Sequence, residues 1–128
     1  MMPHPTANGL TLCDYVIFEN RTLKLTTVGA FGGIAQARIP GVALPFSVVA
    51  VLTGGLEEGK VEAVLASLDT VEELMSQSGT IRFNDRLQEV NCHFRFNDCH
   101  FPIAGHYQMT LLMDGAWVAQ KRFRVYQR

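Results

Sequence analysis

Short segments rich in Val, Ile, Thr, Phe and Tyr recur along this chain. Turn signals separate them at intervals of roughly 8 to 14 residues, the signature of an all-β sandwich or barrel. The clearest segment is 88–97, where Val90, Cys92, Phe94 and Phe96 alternate with Asn91, His93, Arg95 and Asn97. Successive side chains of a strand point to opposite faces, so one face here meets a core and the other meets water. A period of two, repeated in this way, points to strands, and a far-ultraviolet circular dichroism spectrum dominated by helix would defeat that expectation.

Seven or eight strands are expected. Residues 10–19 and 23–31 form a hairpin across Asn20-Arg21-Thr22. Residues 46–53 are apolar on both faces and read as a central strand. In 106–113, Tyr107, Met109, Leu111 and Met113 share a face, and Asp114-Gly115 then supplies a two-residue type I′ turn. The last strand, 116–126, directs Trp117, Ala119, Phe123 and Val125 inward. Lys121 interrupts that register, so a bulge or an edge position is expected. Between 60 and 77, Val61, Val64, Leu65, Leu68, Val71, Leu74 and Met75 fall at helical spacing among good helix formers. Val61-Ala63-Leu65 and Val64-Ala66-Leu68 also fit a strand buried on both sides. The expectation is a strand over 60–69 and a short helix near 71–77.

These elements predict a two-sheet antiparallel sandwich, immunoglobulin-like, in one domain over 10–128 behind a flexible lead-in at 1–9. At 128 residues the chain has room for one core. It can bury roughly two thirds of its unfolded surface and so needs neither disulfides nor metal. Its 11 basic and 12 acidic residues leave a net charge of -1, without the cationic excess that phosphate backbones attract. Nucleic acid is therefore not an expected partner. The longest nearly apolar run, 42–52, holds Pro45 and Ser47 and has about half the length of a membrane-crossing helix, so no membrane is expected either. Cys13, Cys92 and Cys99 are odd in number and lie among apolar neighbours, which suits buried thiols in a reducing, cytoplasmic setting. The opening residues carry no cationic leader or apolar stretch of a secretory signal.

Four landmarks resemble an uncharacterised bacterial family of small β-sandwich proteins, a domain of unknown function. They are Leu12-Cys13-Asp14-Tyr15, Val28-Gly29-Ala30-Phe31, Gly59-Lys60-Val61 and Gly105-His106-Tyr107. The resemblance spans about 10–125, implies an immunoglobulin-like or related sandwich, favours a strand at 60–69 and carries over no functional residue.

Three constellations resemble active sites. Gly54-Gly55-Leu56-Glu57-Glu58-Gly59-Lys60 matches the G-x-x-x-x-G-K skeleton of a phosphate-binding loop, and Thr110-Leu111-Leu112-Met113-Asp114 resembles its magnesium-holding strand. Val61 supplies no hydroxyl for the metal, and Glu57 and Glu58 would repel phosphate, so a glycine-rich hairpin turn is the expectation. Cys92-His93, Cys99-His100 and His106 are zinc-binding types, but neighbours in a strand point apart and no C-x-x-C or H-x-x-x-H pair exists. For nucleophilic catalysis there are Ser47, Ser67, Ser76, Ser78, three thiols and four histidines, with no nucleophile-elbow motif to select one. Asp14 reads as a strand-end or turn-bonded aspartate, Trp117 as a core or hairpin-packing residue, and Lys121, Arg122, Arg124 and Arg128 equally as an interaction patch or as protection of an exposed strand edge.

No catalytic, cofactor-binding or metal site is therefore assigned, and no cofactor is expected. The expected function is a non-catalytic protein-interaction or structural module, acting on another protein or on a second copy of itself. The alternative is a small-molecule-binding domain or enzyme with its site in the long connections 32–44 or 70–85.

Overall fold

The computed structural model describes residues 5–55 and 57–128. Among them are eleven strands and no helix: β1 (Thr6–Phe18), β2 (Leu25–Ala30), β3 (Gly33–Gln36), β4 (Gly41–Val42), β5 (Phe46–Thr53), β6 (Glu57–Ser67), β7 (Glu73–Phe83), β8 (Val90–Phe96), β9 (His100–Phe101), β10 (Gly105–Met113) and β11 (Ala116–Gln127). One sheet has the order β2-β1-β5-β8, the second β3-β11-β10-β6-β7, and β4 pairs with β9 in a third. None of the described residues forms a helix long and apolar enough to cross a membrane.

One apolar cluster takes residues from both large sheets. Leu12, Phe46, Val48, Leu52, Phe94 and Phe96 come from the first, and Val61, Leu65, Tyr107, Met109, Leu111, Phe123 and Val125 from the second. Each set follows the strand period of two. Phe101, Tyr107 and Phe123 meet edge-on or stacked with ring centres 4.9 to 6.2 Å apart. The fully buried Tyr107 hydroxyl donates to the Ile103 carbonyl at 2.6 Å, which satisfies its polar tip and ties the corner before β10 to the core.

β5 is the central strand of its sheet, paired with β1 on one side and β8 on the other. Both of its faces are buried at Ser47, Val48, Val49 and Ala50. The outward face is covered because β1 bends. Pairing with β5 stops at Cys13↔Ser47, while pairing with β2 continues to Phe18↔Leu25. Thr11 is aligned with Val49, and Val49 with His93. A straight strand would carry Phe18 about 23 Å beyond that row, yet the Phe18 and His93 rings lie 6.0 Å apart. The outer half of β1, with β2, therefore curls over the first sheet.

Several expectations need correction. The strands number eleven rather than seven or eight, β3 pairs with β11 in parallel, and residues 6–9 of the expected lead-in belong to β1. The short helix near 71–77 is absent. Val71 sits in the turn at φ 63, which no right-handed helix accepts, and β7 then pairs with β6 along its length. Sheet pairing overrides the local helical preference there, and it turns the expected connection 70–85 largely into strand. Trp117 points outward and is 59% exposed, because the register shifts between Leu111 and Leu112, leaving Val118 as an extra residue. The expected bulge is thus present, one turn of the register before Lys121. β11 is not an edge strand over Arg124–Gln127, where β3 covers it.

Replacing Tyr107 by Phe leaves the ring packing and removes one hydrogen bond. A loss of about 1–2 kcal/mol is expected, read as a lower urea midpoint with unchanged slope.

Candidate functional site

The curl of β1 encloses a polar cluster on the outer face of the first sheet. Ser47 of β5 stands beside Arg95 of β8 in the register, and His93 is one strand step further along. The Ser47 Oγ lies 3.0 Å from His93 Nε2 and accepts from Arg95 Nη1 at 2.9 Å. Arg95 also donates to the Asp14 carbonyl, and Gln77 of β7 donates to the Arg95 carbonyl. The Ser47 hydroxyl thus stands between a guanidinium donor and an imidazole nitrogen. Partial burial of the ring, followed by the nearby Arg95 charge, lowers the His93 pKa below 6.5.

A hydroxyl 3.0 Å from an imidazole meets the first geometric requirement of a nucleophile and base. Two facts work against attack by Ser47. It is fully buried beneath the hairpin, and its oxygen is already engaged by the positively charged Arg95 guanidinium, which makes it a poorer nucleophile. The arrangement ties four strands together, β1, β5, β7 and β8.

The remaining sequence candidates do not converge. Cys92 and Cys99 lie in the core, where burial pushes their thiols up to about 12 and about 11. Burial, with the Asp14 charge, also raises Cys13. His100 and His106 are exposed, and among the described residues no group of three or more His, Cys, Asp or Glu is placed to hold a metal ion. Ser67 is buried and accepts from the Thr70 amide, while Ser76 and Ser78 are exposed on β7. His4 and Leu56 lie outside the described residues. Asp14 stands at the bend of β1 against Gly29, whose φ of +69 and lack of a side chain admit it: a Cβ there would sit 2.2 Å from the carboxylate.

The phosphate-loop skeleton is neither a loop before a helix nor a hairpin. It joins β5 in one sheet to β6 in the other, and Lys60 is already within β6. The Lys60 amide donates to the Asp114 carboxylate at 2.9 Å, and the Asp114 amide donates to the Lys60 carbonyl at 2.8 Å. The Lys60 backbone and Asp114 thus satisfy each other, and the exposed Lys60 ammonium lies 3.8 Å from the Glu62 carboxylate.

Two surface features remain open. The β1–β2 hairpin carries Tyr15, Ile17, Phe18 and Leu23, each between 47% and 74% exposed. Leu23 also holds a φ of 58 at the turn, where Asn or Gly is the unstrained choice. The second feature is a cleft of about 420 Å³ in the connection 32–44, with Gln36, Arg38, Val42, Leu44 and Arg128 in its wall. The long connection is evident in the sequence, but the meeting of these side chains is not, since it depends on β3 lying alongside the end of β11.

The fold and these surfaces define an all-β domain whose thiols, with Ser47 and Ser67, are buried, whose described histidines are exposed and scattered, and whose surface includes an apolar hairpin and an arginine-bearing cleft. Residues 8–126 match the model of a family of unknown function, DUF6941, and the chain belongs to that family. No curated protein matches it.

Two expectations follow from the partly buried imidazole ring and the buried thiols. The folded-state His93 pKa is lowered, so its contribution to stability is fully present above pH 6.5 and is lost as the pH falls through the lowered value. The melting temperature of the parent should therefore fall more between pH 7.5 and 5.5 than that of His93→Gln. All three thiols should resist a thiol-specific reagent at pH 8 in the native state and react together once the chain is unfolded in denaturant.

Proposed function

We propose that this chain is a non-catalytic protein-interaction module of immunoglobulin-like sandwich architecture, which pairs with a second copy of itself through the free edge of β2. The architecture is supported by strand order. In chain order, β1, β5, β6, β7, β8, β10 and β11 fall at the positions of strands A, B, C, C′, E, F and G of an immunoglobulin sandwich. The Tyr107 hydroxyl, bonded back to the carbonyl of Ile103 near the start of β10, is the counterpart of the tyrosine corner of such domains. The three buried, unpaired thiols fit a reducing cytoplasm.

The observation that carries the interaction reading is the β1–β2 hairpin. β2 ends its sheet and leaves one edge without a neighbouring strand. Residues Leu25–Ala30 contain no charge and no proline, the usual devices that block edge pairing. Beside that edge stand Tyr15, Ile17 and the strained, exposed Leu23, an arrangement that costs the isolated domain stability. A neutral strand meets its own antiparallel copy without charge repulsion, and a two-fold pairing of this kind closes on itself. The interface is small, so a Kd on the order of 10 µM is expected.

Light scattering across a concentration series tests this. The parent should pass from monomer to dimer. Thr27→Lys, which places like charges across the two-fold, should remain a monomer with an unchanged melting temperature. Leu23→Asn should melt higher and associate more weakly. A parent chain that stays monomeric at about ten times the expected Kd overturns the reading.

A further inference from the structure

We propose that the cleft beside the end of β11 binds a small organic carboxylate that carries one N–H or O–H donor on an apolar body. None of its wall residues belongs to the hairpin surface, so the two readings stand or fall separately.

The cleft is a built site. The Arg128 amide donates to the Gln36 carbonyl at 2.9 Å, fixing the end of β11 against β3. The Gln36 side chain is 94% buried by its 6% exposure, and its Nε2 donates to the Arg38 carbonyl at 3.1 Å. Flipping the amide would set two carbonyl oxygens together, so its orientation is determined. Gly41 completes this turn, because a Cβ there would lie 2.5 Å from the same Arg38 oxygen. Across the turn, the Ala43 amide donates to the Cys99 carbonyl, and β4 is held to β9. The wall is thus pinned to the core on two sides.

Gln36 lines the cleft, and its Oε1 is the only buried side-chain polar atom among the described residues without a hydrogen-bond partner. A buried acceptor without a donor is costly, and native structures keep few of them. The same wall carries two guanidinium-bearing residues, Arg38 and Arg128, and no Asp or Glu. Neither arginine forms an ion pair among the described residues. Arginine pairs with carboxylate through two parallel hydrogen bonds, which favours a planar anion. Val42 and Leu44, 59% and 84% exposed, supply an apolar shelf beside the charges. Unpaired cations, one unmet acceptor and an apolar shelf call for a ligand with the three complementary parts. A cleft of about 420 Å³ suits one the size of an amino-acid derivative.

Three probes separate the parts. N-acetyl-leucine has the carboxylate, an amide donor and an apolar side chain; N-acetyl-leucinamide lacks the charge; 4-methylpentanoate lacks the donor. Titrations followed by two-dimensional NMR on the whole chain report both affinity and place. The proposal expects N-acetyl-leucine to bind at least about tenfold tighter than either control, with the Gln36 side-chain amide and the Val42 and Leu44 backbone resonances shifting. Arg38→Gln, at an exposed position that does not threaten folding, should weaken that binding by about tenfold. Gln36→Leu should fold normally and lose the preference for N-acetyl-leucine over 4-methylpentanoate. Equal binding of all three probes, shifts confined to other surfaces, or no binding at about 10 mM overturns it.

Discussion

The burial of β5 on both faces is the constraint on which the rest of this structure depends. A central strand in a sheet is ordinarily covered on one side by the opposing sheet. Here its inward residues Phe46, Val48, Ala50 and Leu52 join the shared core, and its outward residues Ser47 and Val49 are closed over as well. The cover is the bent end of β1. Once the chain departs from β5 at Cys13, the hairpin must lie across the sheet rather than extend it, and Phe18 comes to rest near His93.

That cover explains where polar chemistry went. A hydroxyl beneath a hairpin must be satisfied within the protein, and Ser47 is, by Arg95 and His93. The same curl turns Tyr15 and Ile17 away from the sheet and leaves β2 as a terminal strand. Buried serine and exposed apolar hairpin are two consequences of one bend. At the other connection, the parallel pairing of β3 with β11 brings Gln36 to Arg128, so the cleft depends on tertiary pairing just as the polar cluster does.

The period-two segments were legible from the sequence because each residue's burial there is set by its own strand. The segment 46–53 is β5 to the residue, Tyr107, Met109, Leu111 and Met113 are all buried, and Asp114 and Gly115 take the positive φ their turn demands. Legibility ended where a neighbour decides. The helical spacing across 60–77 came from counting apolar residues through a turn: Val61, Ala63 and Leu65 belong to one strand, and Leu74 and Met75 to its partner. Alternation alone points Trp117 inward, because a bulge at Val118 is invisible without the opposite strand. For the candidate sites, composition identified Ser47 and the histidines as types but could not align them. Only the register places Ser47 opposite Arg95 and Val49 opposite His93.

The curl of the hairpin is the claim from which the burial of Ser47 and the exposed apolar edge both follow. A nuclear Overhauser experiment on aromatic protons tests it most directly. Cross-peaks between Phe18 and His93, whose ring centres are 6.0 Å apart, are predicted in the folded monomer. Their absence, together with Phe18 contacts to Leu25 alone, would mean that β1 runs straight past β5 and would contradict the account.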